Sequence, residues 1–189
     1  MLHLSQDQDA DAFLTGNWLA LLIGMVLDQQ VTIEKAFSSP AELSRRLGAP
    51  LSAAAIAAMP LDDLTELFRE RPALHRYPGS MAKRVQDVCR VVATDYDGKV
   101  ENIWKGVTSG DELVGRLNAL PGFGLQKSKI FAALLGKQLG VGPDGWEKAT
   151  KPYGDPDAFL SVADITSPET LEKVRANKRA LKAKARAKG

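Results

Sequence analysis

The stretch LPGFG at residues 120–124 lies between two segments with helical periodicity, Asp111–Ala119 and Leu125–Leu139. Two helices joined by a Pro-Gly-x-Gly turn are typical of a helix-hairpin-helix. Its glycines adopt backbone conformations that are closed to other residues and leave no side chain in the way of a ligand. The second helix begins with N–H groups that lack partners inside it, and these groups suit a phosphate. The pattern predicts a turn that holds one DNA phosphate through its backbone, whatever the base sequence.

An aspartate follows the hairpin at a characteristic distance. Asp144 lies about 20 residues after the last hairpin glycine and ends a stretch rich in glycine and proline, namely Gly136, Gly140, Gly142 and Pro143. The hairpin alone also occurs as a plain DNA clamp in ligases, polymerases and nucleases. Together, the hairpin and the spaced aspartate resemble the helix-hairpin-helix–GPD superfamily of DNA glycosylases, the base-excision group that includes endonuclease III. The resemblance runs from about Asn17 to Trp146.

The resemblance implies an all-α fold with two helical lobes and a cleft between them. We expect residues 1–29 with 136–175 to form one composite lobe, and residues 30–135 to form a helical barrel lobe that carries the hairpin. Residues 176–189 are predicted to be a flexible basic tail. No stretch alternates with the period of two that is typical of strands. Further helices are predicted at Asn17–Gln29, Pro40–Leu47 (with Ser39 as N-cap), Ser52–Ala58, Leu61–Arg69, Met81–Tyr96 and Ser167–Lys184.

The resemblance assigns catalysis to Asp144. Cleavage of an N-glycosidic bond builds positive charge on the sugar, and a carboxylate near C1′ stabilises that charge and orients or deprotonates water. Asp144 also has a structural interpretation, because Glu147 follows three residues later and the pair is close to a helix capping box. The two interpretations are compatible, since the catalytic aspartate of the family lies at a helix start.

The position of the family's catalytic lysine is occupied by a different residue. Bifunctional members attack C1′ with a lysine two residues beyond the last hairpin glycine, and Gln126 stands there in this chain. Lys127 is roughly 100° further round the helix, so its side chain is expected to point elsewhere, towards a phosphate or solvent. The sequence therefore predicts a monofunctional glycosylase that uses water, and it leaves open a loss of activity.

A base that is flipped out of a duplex leaves a hole in the base stack, which a side chain must fill. The segment LDQQVT at residues 27–32 ends the first long helix, and by the resemblance Gln30 occupies the plug position. A glutamine can fill the space and hydrogen-bond the orphaned partner base. The alternative is that Gln29 and Gln30 simply terminate the helix.

The predicted DNA contacts lie in a local basic field. The segment Leu113–Pro143 contains four basic residues and no acid, which favours phosphate contacts. The residues that we expect to contact DNA are Gln30, Gly122, Phe123, Gly124, Lys127 and Lys129. The family's hairpin often binds a monovalent cation through backbone carbonyls, and the matching residues are Asn118, Leu120 and Phe123.

Composition excludes several other cofactors. One cysteine, Cys89, cannot hold the iron–sulfur cluster that endonuclease III and its adenine-specific relatives often carry, and it is expected to be a small core residue. The two histidines, His3 and His75, are too scattered for a zinc site. No cofactor is therefore expected beyond the monovalent cation.

The charge distribution is uneven. The formal net charge is +2, yet residues 173–189 hold eight Lys and Arg and no acid, which leaves the rest of the chain with 17 basic and 23 acidic residues. The basic end is either a solvated helix end or a flexible arm that touches phosphates. Residues 1–11 do not have the pattern of a signal peptide, and the apolar run Trp18–Leu27 is too short to span a bilayer.

These observations predict a monomeric, cytoplasmic, nucleoid-associated DNA-repair hydrolase without lyase activity. Its partner would be double-stranded DNA with a flipped damaged base, and no membrane. The main alternative is a catalytically inactive module that recognises damaged or bent duplex. A third is a helical protein-interaction domain with a vestigial hairpin. The candidate stacking partners for a base are Trp18, Trp104, Trp146, Tyr77 and Tyr153.

Overall fold

The computed structural model describes residues 1–187. Helices make up 64% of the chain and the described residues form no strand, so the all-α prediction is confirmed. Residues 188 and 189 of the predicted basic tail lie outside the described residues. The α-helices are α1 (Gln8–Thr15), α2 (Trp18–Leu27), α3 (Ile33–Leu47), α4 (Ala53–Ala58), α5 (Leu61–Arg69), α6 (Pro78–Asp95), α7 (Gly110–Asn118), α8 (Leu125–Leu139), α9 (Trp146–Ala149) and α10 (Pro168–Arg186), with 3-10 turns at Val100–Ile103 and Val162–Asp164.

Helix α2 is the centre of the hydrophobic core. All of its residues except Trp18 are buried, and a helix that is apolar on every side is stable only when other elements cover it. Helices α1, α3 and α6 pack against it. The contact with α3 is close, because a Cβ added at Gly24 would lie 2.6 Å from the ring of Phe37.

Helix α3 begins at Ile33, so the predicted start at Pro40 is wrong. Thr32 is the N-cap, and Pro40 lies inside the helix. The predicted cap, Ser39, is buried, and its hydroxyl lies 2.7 Å from the main-chain carbonyl oxygen of Leu74. Tertiary packing of the buried face of α3 outweighs the hydrogen bond that the proline removes.

The two hairpin helices are α7 and α8. The bounds of α8 are those predicted, and the bounds of α7 differ from the prediction by one residue at each end. The short helix α9 packs against both through Trp146, which fills a space left by three glycines. A Cβ added at Gly136 or Gly142 would lie 2.6 Å from the indole, and one at Gly110 would lie 2.5 Å from the Trp146 Cα. The glycine-rich stretch before Asp144 therefore serves this packing.

Helix α10 crosses the outside of the core. Ser167 caps it and Pro168 is its first residue, as predicted. Arg175 pairs with Glu34 and ties α10 to α3. The described part of the predicted tail, residues 176–187, continues α10 as far as Arg186. The division into two lobes and a tail stays a prediction.

Among the described residues, no single helix is long and apolar enough to cross a membrane; α1 and α2 meet those criteria only as a pair bent by 115°.

Candidate functional site

The hairpin turn is anchored by two buried side chains. Leu120 and Phe123 are only 3% and 6% exposed, and the Phe123 N–H donates to the Leu120 carbonyl at 3.1 Å. Gly122 has φ +76°, a conformation that strains any residue with a Cβ. The glycine at this position is therefore required by the turn itself.

Gly124 is not required by the fold in the same way. It is the N-cap of α8 with φ −85° and ψ 170°, which any residue can adopt, and a Cβ built on it meets nothing within 4 Å. A glycine here instead keeps the surface over the start of α8 open. This openness is what a close external ligand needs.

The start of α8 offers three free backbone donors. The Ser128 N–H is the first to bond within the turn, donating to the Gly124 carbonyl at 3.0 Å. Within residues 1–187, the N–H groups of Leu125, Gln126 and Lys127 have no acceptor, and no side chain caps the helix. Such donors at the positive end of a helix dipole suit a phosphate.

The ammonium group of Lys127 does not point towards solvent, so that prediction is wrong. It donates to the main-chain carbonyl of Met25 at 2.6 Å and lies 3.3 Å from that of Val26. The last carbonyls of a helix lack N–H partners and carry the negative end of its dipole, and the end of α2 abuts the start of α8. Burial lowers the pKa of Lys127, against a smaller upward effect of Asp28.

Lys129 is also engaged within the protein. Its ammonium group lies 3.3 Å from the main-chain carbonyl oxygen of Lys151. This contact joins α8 to the segment that follows α9 and leaves Lys129 half-buried beside the hairpin.

A cavity of about 640 Å³ lies where the end of α2 meets the start of α8, within the size range of small-molecule sites. The segment around residues 152–160 and the second half of α10 complete its walls. The lining residues include apolar Met25, Val31, Ile130, Pro152, Leu160 and Leu181, and polar Asp28, Gln29, Gln30, Gln126, Lys127, Tyr153, Lys178 and Lys182. Gln126 and Lys127 thus share one site, although they lie on different faces of the first turn of α8.

The two glutamines of the predicted plug differ in their surroundings. Both ends of the Gln29 amide are engaged: its NH2 group donates to the Val26 carbonyl at 2.8 Å, and its oxygen accepts from Arg84 at 2.9 Å. Gln30 is exposed on the cavity rim with φ 57°, and its side chain has no hydrogen-bond partner within residues 1–187. The helix-terminating interpretation fits Gln29, and Gln30 stays the predicted plug.

His75 holds this loop in place. It is buried, its Nδ1 accepts the Tyr77 N–H at 3.0 Å, and its Nε2 therefore carries the proton that is donated to the Gln29 carbonyl at 2.9 Å. Burial lowers the pKa of His75, against the hydrogen bonds to the backbone of Gln29 and Leu27. No sequence motif marks this role, because His75 and Gln29 lie far apart in the chain.

Asp28 is the acidic residue of the cavity, and sequence analysis missed it. It is half-buried at the C-cap of α2. Burial raises the pKa of its carboxyl, against the ammonium groups of Lys178 and Lys127. The signal that could have found it is a carboxylate at the end of an otherwise apolar helix.

Asp144 lies outside the lining of this cavity and is exposed. Its main-chain carbonyl accepts the Gly110 N–H at 2.9 Å. The predicted capping box with Glu147 is wrong, because Gly145 in the left-handed conformation is the N-cap of α9 and no side chain caps that helix. The carboxylate itself has no hydrogen-bond partner within residues 1–187.

Gln126 and the aromatic residues complete the site. The Gln126 amide donates to the Tyr153 hydroxyl at 2.8 Å. Trp18 and Trp104 are half-buried and pack against the core, with ring centroids 5.0 Å apart. Trp146 packs against the three glycines described above. Of the candidate stacking residues, only Tyr153 lines the cavity. Tyr77 is exposed on the surface.

The three predicted cation ligands differ in their backbone hydrogen bonds. The Leu120 carbonyl accepts the Phe123 N–H, whereas the carbonyls of Asn118 and Phe123 have no backbone donor among the described residues. The monovalent-cation site at these carbonyls stays a prediction. In residues 1–187, no group of three or more His, Cys, Asp or Glu side chains could hold a metal ion. Cys89 is buried as predicted, and burial raises its pKa to about 12.

The model of the HhH-GPD superfamily of base excision DNA repair proteins matches residues 23–188 of the chain. The protein therefore belongs to this superfamily, and its function is of the base-excision glycosylase type. No curated protein and no solved structure matches the chain.

Proposed function

We propose that the protein is a monofunctional DNA glycosylase, which hydrolyses the N-glycosidic bond of a damaged base and leaves the strand intact. The observation that carries this proposal is the first turn of α8. Its first three N–H groups have no acceptor within residues 1–187, and its side chains at Gln126 and Lys127 line the cavity. One turn of helix thus joins a phosphate site to a pocket of suitable size.

Binding of the duplex would begin at the hairpin. The backbone of Gly122, Phe123 and Gly124 and the free N–H groups that follow would hold one phosphate, with Lys129 nearby. For Lys127, the contact would come from its backbone N–H, because its ammonium group is bound to the end of α2. A monovalent cation on the carbonyls of Asn118, Leu120 and Phe123 would add positive charge at the turn.

Base flipping would use the rim of the cavity. The free side chain of Gln30 would enter the base stack, while the flipped base enters the cavity beside it. His75 and Arg84 fix the neighbouring Gln29, so the loop that carries Gln30 is held before DNA binds. Such preorganisation reduces the entropy that binding must lose.

Hydrolysis would rely on carboxylate and water. Asp144 is our proposed catalytic carboxylate on the strength of the family motif, and its side chain is free to meet a sugar. Lyase chemistry needs an amine that forms a Schiff base. Gln126 has none, and the amine of Lys127 is held by two carbonyls.

One observation favours a second candidate function. Asp144 lies outside the cavity lining, which is the arrangement expected of a module that binds damaged or bent duplex without removing a base. A screen of duplexes that each carry one defined lesion separates the two functions. Formation of abasic sites from one lesion supports the enzyme, and tight binding without release of any base supports the module.

A further inference from the structure

One wall of the cavity is a basic helix face that the proposed function does not use. Lys178, Leu181 and Lys182 of α10 line the cavity. Residues three and four positions apart in a helix lie on the same face, so the two lysines belong to one face. Arg179 and Lys184 do not line the cavity. The basic residues of α10 are therefore divided between a face at the cavity and other faces of the helix.

The contacts just before this face fix the position of α10. Arg175 pairs with Glu34 of α3, and the Asn177 amide donates to the main-chain carbonyl of Phe159 at 3.1 Å. Lys178 is the next residue of the helix and is half-buried. The basic face therefore reaches the cavity from an anchored point, and its lysines are positioned before any ligand binds.

No acidic partner inside the protein accounts for the two lysines. Within residues 1–187, Lys178 and Lys182 make no ion pair and no hydrogen bond, whereas Arg175 on the preceding turn of α10 makes two ion pairs. Asp28 is the one acid among the described residues that line the cavity, where Lys127 is a third lysine. The lining of the cavity therefore has a net positive charge, which suits an anionic ligand.

The positive charge of the protein is concentrated at this end of the chain. Residues 1–172 hold 17 basic and 23 acidic residues, and residues 173–189 hold eight basic residues and no acid. The net charge of the first part repels a DNA strand and that of the second attracts it. The first turn of α8, which is the proposed phosphate site, shares the cavity with α10. A strand held at the hairpin therefore runs next to the basic face.

We propose that the face of α10 formed by Lys178 and Lys182 is a second phosphate-contact surface, for the DNA strand that carries the flipped nucleotide. The hairpin would hold a phosphate on one side of that nucleotide, and the two lysines would hold a phosphate on the other side. Lysine binds phosphate as a point charge and does not read the base. The flipped nucleotide would thus be kept at the entrance of the cavity. This inference rests on the proposed function and adds a DNA-binding surface outside the hairpin.

The experiment measures the affinity for a duplex that carries a stable abasic-site analogue, over a range of salt concentrations. Lys178→Gln/Lys182→Gln removes two charges from the cavity face. It should bind on the order of tenfold more weakly at low salt, and the slope of log affinity against log salt should become shallower by about 1–2, since each phosphate contact contributes about 0.9. The matched control, Arg179→Gln/Lys184→Gln, removes two charges from other faces of α10. It should lose less than about threefold, because distant exposed charges are screened.

Neutral methylphosphonate groups, placed one at a time on either side of the abasic-site analogue, locate the contact. One substitution should weaken the binding of wild type and of the control variant, but not that of Lys178→Gln/Lys182→Gln, because this variant has already lost the contact. A substitution at the phosphate held by the hairpin should weaken the binding of all three proteins.

The two double variants should unfold at the same temperature as wild type, since glutamine forms helix about as well as lysine. If Lys178→Gln/Lys182→Gln does not fold, the same phosphate scan on the single variant Lys182→Gln, at an exposed position, decides. Equal loss of affinity in the two double variants would overturn the inference. The same phosphate scan in wild type and Lys178→Gln/Lys182→Gln would also overturn it.

The outcomes separate this inference from the proposed function. If wild type releases a damaged base and the α10 variants behave alike, the inference fails alone. If the phosphate scan identifies the contact and no lesion duplex loses a base, the surface on α10 stands and the glycosylase fails. Wild type that binds no duplex overturns both.

Discussion

The ammonium group of Lys127 donates to the main-chain carbonyl of Met25 at 2.6 Å. This bond joins the first turn of α8, which follows the hairpin, to the last turn of α2, which leads into the loop that carries Gln30. The proposed phosphate site and the proposed plug are therefore joined by a direct hydrogen bond between the helices that flank them.

We expect Lys127→Met to destabilise the protein. Methionine keeps most of the apolar stem but leaves the carbonyls at the end of α2 without a charged donor, which should lower the free energy of unfolding by about 1–3 kcal/mol. Chemical denaturation measures the change. The matched control is Lys129→Met, which removes one longer contact, at 3.3 Å, and should cost less. Equal effects of the two changes would show that the bond to Met25 is not special.

The glycines of the hairpin should respond differently to alanine. Gly124→Ala should leave stability unchanged, because its conformation is open to all residues and its Cβ meets nothing. Duplex affinity should fall, since the methyl group lies over the phosphate site. Gly122→Ala should cost on the order of 1 kcal/mol of stability, because φ is +76°.

The affinity of the wild-type protein for duplex DNA should fall steeply as the salt concentration rises, because counterions then return to the DNA phosphates. With a second duplex sequence, the ratio of the dissociation constants of Gly124→Ala and wild type should be the same. An unchanged affinity in folded Gly124→Ala would mean that the hairpin is not the DNA clamp.

His75 should make stability depend on pH. Its pKa is lowered from the ordinary value of 6.5, so the unfolded chain takes up a proton before the folded chain does, and stability is lost as the pH falls below that value. Thermal unfolding from about pH 7 to about pH 5 measures the loss. In His75→Gln, a side chain that retains a donor and an acceptor, this contribution should vanish. Parallel profiles for the two proteins would contradict the lowered pKa of His75.

Base removal should not be accompanied by strand cleavage. Gln126 cannot form a Schiff base, and the amine of Lys127 is engaged. Borohydride treatment with a duplex that carries an abasic site should give no covalent adduct. Recovery of a stable adduct, mapped to Lys127 by mass spectrometry, would make the protein bifunctional.

Much of the fold follows from local sequence. The LPGFG turn and the bounds of α8 were predictable, because glycine conformation and helical periodicity are local properties. The start of α3 was not, because a buried face carries the helix through Pro40, and packing is not local. Trp146 could not be distinguished from a stacking residue, because the glycines that it packs against, Gly110, Gly136 and Gly142, come from different segments of the chain.

The candidate site was harder to predict than the fold. Asp28 shares its cavity with residues of α8 and α10, and His75 acts through the Gln29 carbonyl, so no linear motif marks either residue. The motif that marked Asp144 gave its position in the chain, yet not its surroundings. The helical period predicted that the side chains of Gln126 and Lys127 point in different directions. Both nevertheless line the cavity, because the cavity contacts more than one face of the first turn of α8.

The most direct test of the account is the rate of base release from the lesion duplex that a screen identifies, compared in wild type and Asp144→Asn. Asparagine keeps the size of the side chain and removes its charge. We expect base release by wild type, and a loss on the order of a hundredfold in Asp144→Asn, with unchanged stability and duplex binding. Equal rates in the two proteins would contradict the catalytic assignment of Asp144. Absence of base release by wild type from every lesion, with tight duplex binding, would contradict the enzyme itself.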